Sequence, residues 1–200
     1  MALMSIGDSR SRDRPLTVDD LARMPEDERY RYELVDGRIE MSPAPAHRHS
    51  RAQGRLVTHL SNLAPDDIEV EPEAGITLNE ARTHQRQPDL VAFSAKDAED
   101  PYLTRPPLLV VEVLSPDSVF RDTDTKRREY AEFGIPSYWI INPSYETPGI
   151  LELRLDGGEY QSIAEVKGEE VFETDLPFPV RFVPHWLVAD GPWRACISGD

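Results

Sequence analysis

A chain of 200 residues, 39% hydrophobic and 30% charged, is long enough to bury a core of its own and reads as one soluble globular domain. Its single cysteine, Cys196, excludes an internal disulfide framework and a cysteine-based zinc site, and no apolar run is long enough for a membrane span or a signal peptide, so the expected compartment is the cytoplasm. A net charge of −15 weighs against a nucleic-acid partner, yet residues 1–60 hold ten arginines against ten acids, so the whole excess falls in 61–200 and any basic groove must be local.

In chain order, the polar residues 1–14 are expected to form a disordered tail, followed by one domain over 15–190 and a C-terminal tail over 191–200. Thr17 caps a short helix through Met24. The strand-like runs Tyr30 to Val35 and Arg38 to Ser42 flank Asp36-Gly37, a strong hairpin signal, and Pro43 and Pro45 then break the sheet. From Arg48 to Leu63 the residues Ala52, Leu56, Val57, Leu60 and Leu63 recur at helical spacing, beside a stripe of Arg48, Arg51, Arg55 and His59. Ile68 to Leu78 reads as a bent or bulged strand pair with its break at Gly75 and with Glu69, Glu71 and Glu73 on the solvent face. Pro88 to Ser94 and Leu108 to Ser115 are strands joined by an acidic, exposed loop. Asp122 or Thr123 is expected to cap a helix that runs to Phe133 and stops at Gly134 and Pro136. Ser137 to Asn142 is the next strand, Asp156-Gly157-Gly158 turns a second hairpin, and Val180 to Val188 ends the ordered chain. This order predicts an α+β (mixed α/β) domain, with a mixed central sheet flanked by helices and peripheral hairpins.

The stretch from Pro107 to Pro116 is apolar except for Glu112, and a lone buried charge costs several kcal/mol unless a cation meets it. Strand parity puts Asp89 on one face of its strand and Glu112 on one face of the neighbouring one, so both acids can converge. Two carboxylates on adjacent strands suit a hard divalent cation such as magnesium, and without a cation they would repel. The alternative is that Glu112 pairs with a buried arginine and Asp89 caps a turn after Pro88. Lys126 shares a helical stripe with Tyr130 and Phe133 and so projects toward the sheet, where it can polarise a water, or merely pack its stem while its ammonium reaches solvent. His49 lines up with Leu56 and Leu60 and is either catalytic or packed, and Glu33 carries the same ambiguity. Arg48, Arg51 and Arg55, and the cluster of Lys126, Arg127 and Arg128, are the candidates for contacts to nucleic acid. Neither a phosphate-binding glycine loop nor a nucleophile elbow is present.

Tyr32 to Gly37, Met41 to Pro43, His49, Pro88 to Val91, Val111 to Pro116, Lys126, Tyr130 and Tyr138 to Ile141 together resemble the putative restriction endonuclease family called Uma-two, within the PD-(D/E)XK nuclease superfamily. The resemblance spans about residues 17–188 and implies a restriction-endonuclease-like core and a magnesium-dependent nuclease site in which manganese can substitute. By motif it implies Asp89 and Glu112 as metal ligands, Lys126 as the catalytic lysine, and Glu33 and His49 as supporting residues. One departure stands out, because the superfamily places its lysine two residues after the glutamate and Leu114 occupies that position here. The leading expectation is a metal-dependent DNA endonuclease, as a homodimer on the logic that two strands are cut most simply by two sites related by a twofold axis. A non-catalytic binding or assembly module and a hydrolase of a smaller phosphodiester are the alternatives, both favoured by the acidity.

Overall fold

A computed structural model describes residues 14–25, 27, 29–115 and 121–199. Helix α1 (Val18–Leu21) leads to the hairpin of β1 (Tyr30–Val35) and β2 (Arg38–Pro43), the long helix α2 (His47–Leu63), β3 (Ile68–Pro72), the two-residue strands β4 (Ile76–Thr77) and β5 (Gln85–Arg86), and β6 (Leu90–Ser94). There follow β7 (Leu109–Val113), α3 (Lys126–Phe133), β8 (Ser137–Asn142), the hairpin of β9 (Gly149–Asp156) and β10 (Glu159–Lys167), β11 (Phe172–Thr174), β12 (Val180–Phe182), and the short helices α4 (His185–Val188) and α5 (Trp193–Cys196).

The central sheet has the order β10-β9-β8-β7-β6-β3, and only its β7–β8 pair, bridged by the crossover through α3, is parallel. Both of its faces are covered, which is why its central strands are continuous apolar runs. Leu109, Val111, Val113, Trp139 and Ile141 pack with Ala52, Leu56 and Leu60 of α2 on one face, while Val91, Val110, Tyr138 and Ile140 pack with Tyr130 of α3 on the other. A four-stranded sheet, β2-β1-β5-β4, and the β11–β12 pair complete the mixed α+β architecture.

Turn chemistry sets the hairpins. Asp36 and Gly37 both take positive φ, 49° and 75°, as a primed two-residue turn requires, and a Cβ on Gly37 would lie 2.4 Å from the Pro15 side chain. Gly134, at φ 90°, closes α3 by donating to the Tyr130 and Ala131 carbonyls.

Four expectations need correction. Ile68 to Leu78 does not pair with itself: β3 joins the central sheet and β4 the four-stranded one, and Gly75 marks a close approach rather than a bulge, since a Cβ there would meet the Tyr102 ring at 2.5 Å. The helix of Lys126 does not begin at Asp122 or Thr123, because the backbone is already wound as a wide π-turn over Arg121–Thr125 and passes from it directly into α3. The chain does not end its order at Val188, since α5 follows and Ile197 is buried in the core with its carbonyl bonded to the Val183 N–H. The strands β5 and β11 have no counterpart among the expected elements. Apart from Arg14, the expected N-terminal tail lies outside the described residues, as does Pro116. Among the described residues, no helix is long and apolar enough to cross a membrane.

Candidate active site

Asp89 sits one step before β6, beyond the Leu90–Val111 pair, which puts it opposite Glu112 on β7. Its Oδ2 accepts from the Val113 N–H at 2.6 Å, so its carboxylate lies against the peptide that follows Glu112. Gln53 of α2 donates to the Asp89 carbonyl at 2.8 Å, and His49, one turn earlier, brings its Nε2 to within 3.1 Å of Asp89 Oδ2. From β1, Arg31 bridges Asp89 Oδ1 and Glu73 Oε1, both at 2.7 Å.

Glu112 is met from α3. Lys126 Nζ and the Tyr130 hydroxyl, four residues apart on one helix face, donate to the same Glu112 Oε1 at 2.8 and 2.7 Å. Lys126 Nζ is also 3.2 Å from Glu33 Oε1, and Glu33 accepts from Arg86 Nη1 at 2.9 Å and from the Gln87 N–H at 3.0 Å. Glu33, His49, Asp89, Glu112 and Lys126 therefore meet in one place, all of them buried. Cations do meet the two acids, Arg31 against Asp89 and Lys126 against Glu112, and they supply the opposing charge from within the chain. Arginines do meet buried acids of the cluster, Arg31 at Asp89 and Arg86 at Glu33, while Lys126 is in contact with Glu112.

Electrostatics follow from this packing. Burial favours the neutral form of Asp89, but the hydrogen bond from His49, the charge of Arg31 and the Val113 N–H together hold its carboxyl below the usual carboxylate range. Burial and the neighbouring Glu112 push the Tyr130 hydroxyl well above its ordinary value, so it stays protonated and donates to Glu112.

As metal donors, Asp89 and Glu112 offer two carboxylates, and among the described residues no group of three or more His, Cys, Asp or Glu is placed to hold an ion. That donor set fits magnesium, which binds through one or two carboxylates and takes its remaining oxygens from water and substrate phosphate. A cavity of 490 Å³, lined in part by Tyr30, Arg31, Tyr32, Glu73 and Gln87, opens on the Arg31 side of the cluster.

The candidate nucleic-acid residues do not form a single patch, because α2 and α3 cover opposite faces of the central sheet. Arg51 donates to the Val188 carbonyl and to Asp190, and Arg55 to the Trp186 and Ala189 carbonyls. Arg48, on the same helix, is half-buried. Arg127 donates to the Tyr160 carbonyl, and Arg128 is 3.8 Å from Asp124. Sequence reasoning missed Arg31, Gln53, Arg86 and the role of the Tyr130 hydroxyl. For Arg31 a signal existed, since it lies two residues before Glu33 on one strand and so shares its face.

A family model described as "Putative restriction endonuclease", Uma2, matches residues 18–187. No match is found among curated proteins. Among solved structures, the chain is similar to "a putative nuclease belonging to DUF820" from Anabaena variabilis, at 21% identity over 78% of this chain and 86% of that chain, with a TM-score of 0.58. At that identity the likeness speaks for the shared fold.

Proposed function

Because the chain belongs to the Uma2 family of putative restriction endonucleases, we propose that it is a divalent-metal-dependent endonuclease that hydrolyses DNA phosphodiester bonds. The observation that carries this reading is the meeting of Asp89, Glu112 and Lys126, from two adjacent strand positions and the crossover helix, in a buried cluster. Magnesium, with manganese as a substitute, would be held by Asp89 and Glu112 and would supply charge stabilisation at the phosphoryl oxygens.

The chain's own residues divide the remaining work. Lys126 holds or polarises the attacking water and offsets charge that builds up in the transition state. Glu33 fixes the Lys126 ammonium together with Glu112, and Tyr130 holds Glu112 Oε1. His49 and Arg31 orient the Asp89 carboxylate. Arg48, Arg51, Arg55, Arg127 and Arg128 are proposed to contact DNA phosphates.

Supercoiled, linear and single-stranded DNA incubated with magnesium or manganese test the activity, beside a Glu112→Ala control. Equal nicking by both proteins would mean contamination and would sink the reading. Ion binding is tested without activity by melting. At a metal concentration of about 100 times Kd, linkage adds about 2.7 kcal/mol, roughly 5–10 °C for a domain of this size, and an Asp89→Ala, Glu112→Ala double variant should show no rise. A midpoint that metal leaves unmoved in the wild type, or raises equally in both, removes the site.

A homodimer follows if both strands of a duplex are cut, since a twofold axis would relate two sites to two antiparallel strands. Light scattering that reports only monomer at tens of micromolar, with and without duplex DNA, would overturn this part.

A further inference from the structure

Charge on this chain is segregated more sharply than its total implies. No acid occurs between Glu40 and Asp66, a stretch that contains α2 with Arg48, Arg51 and Arg55. Beyond Asp175 the described chain holds Arg181 and Arg194 against one acid, Asp190. These two stretches pack together, because α4 lies against α2, and Arg51 and Arg55 donate to carbonyls at 186, 188 and 189. Arg48, Arg51, Arg55 and Arg194 thus lie on two packed stretches that carry one aspartate, Asp190, in a chain whose net charge is −15, while Arg181 faces Glu173 across the β11–β12 pair.

The carbonyl bonds that hold Arg51 and Arg55 leave part of their charge uncompensated. Carbonyl oxygens orient a guanidinium without neutralising it, and Asp190, which pairs with Arg51 at 2.9 Å and also offsets charge at Arg55, is itself 94% exposed. The Cζ atoms of Arg55 and Arg194 are 5.0 and 4.6 Å from the centre of the Trp193 ring, so two cations are held on one aromatic side chain. Burial and then the like charge of Arg51 lower the Arg55 pKa, Asp190 offsets part of this, and Arg194 adds to the lowering. Like charges crowded this way oppose folding and gain from a polyanion. Along α2, Arg48 to Arg55 spans roughly 10 Å, enough to meet successive phosphates of a strand. His49, which reaches Asp89, lies on the same helix directly after Arg48, so α2 carries both the basic stripe and one wall of the candidate site.

We infer that α2 and the C-terminal segment through α5 form one basic surface that holds the phosphate backbone of the nucleic acid, with Arg194 and Trp193 as parts of it beside Arg48, Arg51 and Arg55. This rests on the endonuclease reading and names where the substrate backbone lies. The C-terminal wall reaches past residue 187, where the family match ends.

The test is fluorescence anisotropy of a labelled 20-base-pair DNA duplex, titrated with the full chain in EDTA over a range of salt concentrations. Arg194→Glu and, separately, Arg48→Glu should each weaken binding about tenfold near 100 mM salt and flatten the log K against log salt slope by about one unit. Arg105→Glu makes the same charge change in the exposed loop where Arg105 pairs with Asp97, and it should bind as wild type. Melting curves confirm that each variant folds. The inference is overturned if the wild type binds no duplex, if Arg105→Glu loses as much as Arg194→Glu, or if both Arg194→Glu and Arg48→Glu keep the wild-type slope. A wild type that binds through this surface but never cuts would sink the nuclease reading and leave the surface standing. Cleavage with unaltered binding by both surface variants would do the reverse.

Discussion

Lys126→Ala should lose at least about 10³-fold in DNA cleavage, because it removes both the group proposed to hold the attacking water and a cation in contact with Glu112. It should also cost stability. Lys126 is 3% exposed and contacts Glu112 at 2.8 Å and Glu33 at 3.2 Å, so alanine leaves two buried carboxylates short of a cation. Breaking a buried pair this way costs about 3–5 kcal/mol, roughly 6–20 °C in midpoint for a domain of this size. Metal should then stabilise the variant at least as much as the wild type, since Asp89 and Glu112 are both intact and one competitor for Glu112 is gone. Leu114 follows Glu112 by two residues and is half-buried, so a lysine there would approach the same carboxylate from the superfamily's usual position. Leu114→Lys in the Lys126→Ala background should recover part of the activity, within limits, because an ångström of misplacement can remove about 10²-fold in rate. Plasmid nicking and thermal melts on the two variants decide the matter. If Lys126→Ala cleaves at the wild-type rate, the lysine is a structural counter-ion, and His49 becomes the first group to test as the one that positions water.

Local chemistry makes much of the fold legible. Asp36-Gly37 and Gly157-Gly158 turn the hairpins because each pair tolerates positive φ, and α2 is visible because its apolar residues repeat at helical spacing. The run Leu109–Val113 announces a sheet covered on both faces, and its one acid announces a partner. What stays hidden depends on contacts between distant residues. β5 is two polar residues whose strand character comes from pairing with β1 and β4, and nothing within Gln85-Arg86 signals it. Arg31 lies 58 residues from Asp89, and Arg86 lies 53 from Glu33, separations over which periodicity carries no information. Asp89, Glu112 and Lys126 emerge from parity and helical stripe, but which cation meets which acid is a tertiary matter. The C-terminal residues read as a tail because four-residue helices leave almost no periodic pattern, although Ile197 is only 3% exposed.

Arg86→Ala should destabilise the chain about as much as Lys126→Ala, although the acids it holds are Glu33, Glu40 and Glu129 and not the proposed metal ligands. Its guanidinium is 1% exposed and holds Glu129 through two bonds at 2.7 and 2.8 Å, Glu33 at 2.9 Å and Glu40 at 3.2 Å. Removing it leaves three carboxylates facing one another around a void, at a cost of about 3–5 kcal/mol, whereas removing a surface partner such as Arg105 changes little. The loss should depend on pH, and Glu129 sets the sign. Burial pushes its pKa up, but hydrogen bonds from Arg86 and His84 bring it down from 4.5 to about 2. A carboxyl whose pKa falls on folding contributes stability that is present above its unfolded pKa and is lost as pH drops toward the folded one, here between about pH 5 and 2. The upper bound is about 3 kcal/mol, since a tenfold change in proton affinity is worth about 1.4 kcal/mol. Without Arg86 that lowering largely disappears and the three acids take up protons more readily. The gap in midpoint between wild type and Arg86→Ala should therefore be widest near pH 7 and narrower at pH 4. Equal melting differences at both values would mean that Arg86 stabilises by packing its stem, and a variant as stable as the wild type at pH 7 would show that the four-stranded sheet holds Glu33 in place by other means.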